Sequence, residues 1–280
     1  MTTLPNKPNQ GMLQLVLGQS GRRTTIKDCY YHVPLQVLRP AYRDDTGMAY
    51  IYLLNPCGGV VGGDRFDLSI TLQSGAHAYV TTPSATKLYP SSDEAARQTI
   101  SFTLAPDAVL VYMPEQTIPF ADADFEQRIH LQMAPGATAF LGDILAPGRI
   151  ARGETFDYCN YDSQLRIDSM AGEPLLEEHI RLRPRQQRLT HLALFEGYAY
   201  LTSFYAVGLD QIQAAQLTGR VQAQLDGEQH LLGGATELPH GGVAVRLLSH
   251  DHRSASAALH TVWDTVRRYI YGCPAAACQM

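Results

Sequence analysis

Three times along the chain an apolar residue is followed by a short turn and then by an alanine that opens a new apolar stretch. The copies are Leu72-Gln-Ser-Gly-Ala76, Leu104-Ala-Pro-Asp-Ala108 and Met133-Ala-Pro-Gly-Ala137, and their turn positions Gly75, Asp107 and Gly136 lie 32 and 29 residues apart. A period in that range points to stacked β units sharing one elongated core, because such a unit cannot bury its apolar face alone. The flanking stretches 76–81, 99–104, 108–112 and 129–133 alternate apolar and polar residues and are rich in Val, Ile, Thr, Tyr and Phe, which suits half-buried strands. The expected fold is therefore all-β dominated, with stacked β-sheets in an irregular, solenoid-like arrangement.

Two helices are expected in the C-terminal third. The first covers residues 210–225, where glutamines and alanines dominate and Asp226-Gly227 supplies a stop. The second covers 254–271, with Leu259, Val262, Trp263, Val266 and Ile270 on one stripe and Gly272-Cys273-Pro274 ending it. That stripe suits packing against the sheet, with a partner-binding face as the sharper alternative.

At 280 residues, 45% hydrophobic and 18% charged, the chain can bury a sizeable core, and one domain over 1–280 is expected, with 1–10 disordered and 274–280 a flexible tail. A net charge of −5 without long basic runs excludes a nucleic-acid footprint. The polar first residues read as neither secretory signal nor membrane span, making the cytoplasm the expected compartment. Cys29, Cys57, Cys159, Cys273 and Cys278 lack paired spacing and read as free thiols, the last two being candidates for soft-metal contact at the tail.

Three segments draw attention as chemistry. Asn55-Pro-Cys-Gly-Gly-Val-Val-Gly-Gly-Asp64 is too glycine-rich for an ordinary strand, yet matches no phosphate-binding pattern; Asp64 reads either as a ligand or as the acceptor that closes the turn. Thr81-Thr-Pro-Ser-Ala-Thr-Lys-Leu-Tyr89 places hydroxyls beside Lys87, so a small hydrolase using the Thr81–Lys87 loop is a second reading, although no accompanying His and Asp pair is visible. The stretches 113–120, 141–143 and 148–154 set carboxylates near strand ends, where they can line a polar passage for a cation. His250-Asp-His252 could offer two imidazoles to nickel or zinc, but no third ligand is near it in sequence.

Taken together, Gly58-Gly-Val-Val-Gly-Gly-Asp64, Thr81-Thr-Pro-Ser-Ala-Thr-Lys87, Pro114-Glu-Gln-Thr-Ile118 and Gly148-Arg-Ile-Ala-Arg-Gly-Glu154-Thr-Phe156 resemble the UreD (also called UreH) family of urease accessory proteins in order and spacing. Gly242-Val-Ala-Val-Arg-Leu-Leu248, Trp263-Asp-Thr-Val-Arg267 and Gly272-Cys-Pro274 resemble that family's closing pattern. The resemblance implies a non-catalytic, cytoplasmic scaffold that joins apo-urease structural subunits, UreF and the GTPase UreG, holds no permanent cofactor, and relays nickel in transit. It also implies that Asp64, Glu115, Asp143 and Glu178 line a nickel passage and that Lys87 and Arg149 serve the passage or a contact surface. Two departures stand out: Pro114-Glu-Gln reads where relatives more often have Pro-Gln-Glu, and Ala275-Ala-Ala-Cys-Gln-Met280 replaces a basic, tryptophan-bearing ending.

Overall fold

The repeated turns are corners of stacked coils. The computed structural model describes residues 9–228 and 230–275. In chain order its strands are β1 (Gln10–Ser20), β2 (Arg23–His32), β3 (Gln36–Val37), β4 (Ala49–Leu54), β5 (Arg65–Leu72), β6 (His77–Thr81), β7 (Thr86–Leu88), β8 (Ala96–Leu104) and β9 (Val109–Tyr112). There follow β10 (Thr117–Pro119), β11 (Asp124–Met133), β12 (Thr138–Leu145), β13 (Asn160–Ser169), β14 (Pro174–Leu182) and β15 (Tyr200–Val207). Helix α1 (Gln211–Leu225), β16 (Leu231–Glu237), β17 (Gly242–Ser249) and α2 (His252–Tyr271) complete the described chain.

Two sheets face each other. The first runs β14-β13-β11-β8-β5-β1-β2, and the second runs β16-β17-β15-β12-β9-β6-β4-β3. In each coil a strand of the first sheet turns a corner into a strand of the second, so β5, β8 and β11 stack in parallel, as do β6, β9 and β12. The short strands β7 and β10 form a third side. Corner backbones are stitched from coil to coil: Ala105 and Ala134 N–H donate to the carbonyls of Leu72 and Leu104, and Val109 and Thr138 N–H donate to those of Ala76 and Ala108, all at 2.9 Å. The alanines are buried because a larger side chain would separate successive corners. Gly75, Asp107 and Gly136 all take positive φ (67°, 59° and 79°), the conformation each corner requires.

Burial follows the layers. In β5 every second residue is buried, the mark of a sheet with one wet face, whereas β9 and β15 are buried along their whole length because helices cover the second sheet's outer side. Leu68, Ile100, Phe102, Leu131 and Leu141 belong to the core between the sheets. A second core joins the second sheet to the helices, with Trp263 against Phe140 at 5.3 Å between centroids. The α2 stripe thus packs on its own sheet. Helix α2 starts earlier than the sequence suggests, because the Asp251 side chain accepts from Ser254 N–H and caps a helix that begins at His252. Helix α1 carries a full capping box between Asp210 and Gln213.

The expectation of disorder over 1–10 is corrected at its end: Gln10 lies in β1, and Asn9 hydrogen-bonds Asp64. At the other terminus Ala275 N–H donates to Asp264, while Cys278 and positions 276–280 lie outside the described residues. Sequence reading also overlooked Arg267, fully buried in α2, which donates to Tyr50 Oη at 3.0 Å and pairs with Asp44.

Candidate functional site

The glycine-rich segment closes the third side of the coils. Val60 N–H donates to the Lys87 carbonyl and Tyr89 N–H to the Val60 carbonyl, both at 2.8 Å, which docks the segment along β7. A Cβ on Gly59 would stand 2.4 Å from that Lys87 carbonyl oxygen, so the close approach demands glycine. Asp64 is buried and its carboxylate is taken: Asn9 N–H and Nδ2 donate to Oδ1 at 2.8 and 3.1 Å, and Val61 N–H donates to Oδ2 at 3.0 Å. Of its two sequence readings, closing the turn is the one this geometry fills.

Behind this segment a cavity of about 310 Å³ lies between the sheets. Its outer lining includes the exposed residues Pro56, Gly58, Ser84 and Lys87. Its inner lining is mostly apolar but carries two polar rows. On the first sheet Gln98, Gln127 and Ser163 sit side by side in register; Gln127 Nε2 donates to Gln98 Oε1 and Ser163 Oγ to Gln127 Oε1, each at 3.1 Å. On the second sheet Asp143 pairs with Ser203 across β12 and β15, and the row continues beyond the lining to Arg246, which pairs with Ser203 across β15 and β17.

Two carboxylates belong to this interior. Burial pushes the Asp143 carboxyl up to about 6, partly countered by the Ile144 N–H. Burial, with the nearby charge of Asp143, pushes Glu178 on β14 up to about 7. Burial likewise raises the Tyr112 and Tyr161 phenols, with Asp143 adding to both. Glu178 Oε1 is buried without a hydrogen bond, and its charge is met by an ion pair with the Arg246 guanidinium. Arg246 also donates to Tyr205 Oη at 3.4 Å.

The residues singled out in the sequence therefore divide. Asp143, Glu178 and Lys87 line the cavity together. Asp64, Glu115 and Arg149 are not in its lining. Glu115 sits in the β9–β10 connection, where its N–H donates to Thr82 Oγ1 at 3.0 Å. Arg149 closes the loop between β12 and β13: its Nε donates to Glu154 Oε2 at 2.7 Å and its guanidinium stacks 4.0 Å from the Phe120 ring centroid. In the Thr81–Lys87 loop the Thr82 hydroxyl is spent on Ser84 and Glu115 backbone groups, and among the described residues neither Ser84 nor Thr86 hydrogen-bonds Lys87. His250 stacks on Tyr198 at 4.3 Å, and His252 opens α2. Among the described residues no three His, Cys, Asp or Glu side chains gather into a metal cluster, and no helix is long and apolar enough to cross a membrane.

Gln98, Gln127, Ser163, Ser203 and Arg246 were missed. A signal existed for the first two: Gln98 and Gln127 stand at equal distances before the corner residues Leu104 and Met133, on the inward parity of their strands.

Comparison with known proteins gives a consistent picture. A family model described as UreD urease accessory protein matches residues 9–280. The urease accessory protein UreD of Cenarchaeum symbiosum is 35% identical over 244 residues, covering 85% of each chain. That of Herpetosiphon aurantiacus is 34% identical over 269 residues, 93% of this chain and 91% of the relative. Urease accessory protein UreD 2 of Streptomyces griseus is 32% identical over 280 residues, 98% of this chain and 95% of the relative.

Proposed function

The chain belongs to the UreD urease accessory protein family, a maturation factor and not an enzyme, and from that premise we propose that it relays nickel through its inter-sheet cavity to apo-urease. The observation that carries the reading is the meeting of Asp143 and Glu178 in one cavity, where burial works against the charged form of both carboxyls. Asp143 exchanges a proton for a cation at little cost, and Glu178 its guanidinium partner, since either one neutralises the carboxylate. Two carboxylates flanked by amide and hydroxyl oxygens form a partial ligand set for a divalent ion, fewer groups than a closed site of four uses. Such a set suits passage, because cargo must leave as readily as it enters. Nickel here is cargo and not a resident cofactor.

In this scheme the exposed mouth with Lys87 meets solvent or a partner, and Arg149 holds the 148–156 loop in the shape a partner would meet. The partners are the apo-urease structural subunits, UreF and UreG, assembled in the cytoplasm. Asp64 serves the passage only indirectly, by fixing the segment that walls its mouth.

The test is co-purification of a tagged chain with urease subunits, UreF and UreG, followed by activation with nickel and bicarbonate. Glu178→Gln and Asp143→Asn should leave the co-eluting complex intact and lower the initial activation rate severalfold. Activation at the wild-type rate in both variants would overturn the passage.

A further inference from the structure

Arg246 pairs with the cavity's Glu178, and it comes from an unexpected direction. It lies on β17, in the same cross-strand row as Asp143 and Ser203, two strands from Asp143 and at the half-exposed rim of that row. From there it reaches across the gap between the sheets to Glu178 on β14. The pair is lopsided: the Glu178 side chain is 12% exposed while that of Arg246 is 55% exposed. The acid is fixed inside and the base is anchored outside, with Tyr205 Oη as its further contact.

Resting on the passage reading above, we infer that Arg246 is a displaceable counter-cation, a latch that occupies Glu178 until a divalent cation takes its place. A guanidinium and a divalent ion compete for the same carboxylate oxygens. When cargo reaches Asp143 and Glu178, the Arg246 head can swing into water while its stem stays on the rim, so release costs little solvation. When cargo leaves, the guanidinium returns, and Glu178 is not left as an unpaired buried charge. The latch thus lowers the affinity of the interior for nickel and favours discharge over retention. It also screens the rim against stray cations.

The proposal is tested on the co-purified accessory complex, without urease, by measuring nickel retained against free nickel. In Arg246→Gln the half-saturating nickel concentration should fall about tenfold, and the double variant with Glu178→Gln should lose that gain. Arg246→Lys keeps the charge without the planar fork and should fall between; it carries the test if Arg246→Gln fails to assemble. Retention curves for both Arg246 variants that superimpose on wild type would overturn the latch, leaving the passage standing if Glu178→Gln still slows activation. Normal activation by both Glu178→Gln and Asp143→Asn would instead remove the passage, and the latch with it. Weaker nickel retention in Arg246→Gln within an intact complex would also overturn the latch, since it would make Arg246 a support of the site.

Discussion

The space between the two sheets has two ends built from the same coils to opposite purposes. Near the corners it is solid: Leu72, Leu104 and Met133 close each coil, Ala76, Ala108 and Ala137 let the next one nest, and Phe102 fills the gap against Tyr112 at 5.1 Å. Toward the third side the same strands turn Gln98, Gln127 and Ser163 inward, and the sheets part around a cavity holding Asp143 and Glu178. Repetition at one end stores the stability that lets the other end stay hollow and polar, where every buried polar group needs a partner or a cost.

The sharpest way to break this contrast is to hollow the solid end. Phe102→Ala removes a ring that is 1% exposed and should cost about 3–5 kcal/mol, read as a fall in the denaturation midpoint. A loss below about 1 kcal/mol would mean that the corner end is as loosely filled as the cavity.

The next test addresses the cavity. Burial raises Asp143 to about 6, so the folded chain keeps a proton that the unfolded chain releases once pH passes its ordinary carboxylate value. Stability from this group is therefore complete at low pH and lost as pH rises through about 4 to 6. Asp143→Asn has no such dependence. Relative to wild type it should gain stability with rising pH, by roughly 2–3 kcal/mol between pH 4 and pH 8, measured by thermal unfolding. A difference that does not vary with pH would show Asp143 to be well solvated, and the cavity to be wet throughout.

The smallest effect belongs to the corners. At Gly136 φ is +79° and an added Cβ would stand 2.7 Å from Asp107 Oδ1, so Gly136→Ala should cost about 1–2 kcal/mol. Asp107 holds the matching corner with a side chain, at φ 59°. Asp107→Gly should therefore be stabilising by about 0.5 kcal/mol in the same assay.

These contrasts explain what could be read in advance. The corners, the strands around them and both helices were legible because each depends on nearby residues: a turn, an alternation, a cap. Asp143 and Glu178 were legible through family resemblance, but their meeting was not, since it depends on two sheets bringing β12 and β14 to one cavity. Arg246 lay hidden inside an ordinary strand pattern, Gly242–Ser249, where an inward arginine looks like any solvent-facing one. Asp64 misled for the reverse reason: an aspartate after glycines suits a ligand or a turn equally, and only the arrival of Asn9 from a distant part of the chain decides between them.

The tie between Arg267 and Tyr50 spans 217 residues of sequence, and that span has a temporal meaning. During synthesis the second sheet's outer face, including Tyr50, Val111 and Phe140, is made long before α2 exists to cover it. At a ribosomal pace of about 5–20 residues per second, the delay is roughly 10–45 s. For that interval the nascent chain carries a bare apolar face, and a ribosome that stalls in the last helix would release a product that is nearly complete yet prone to aggregate.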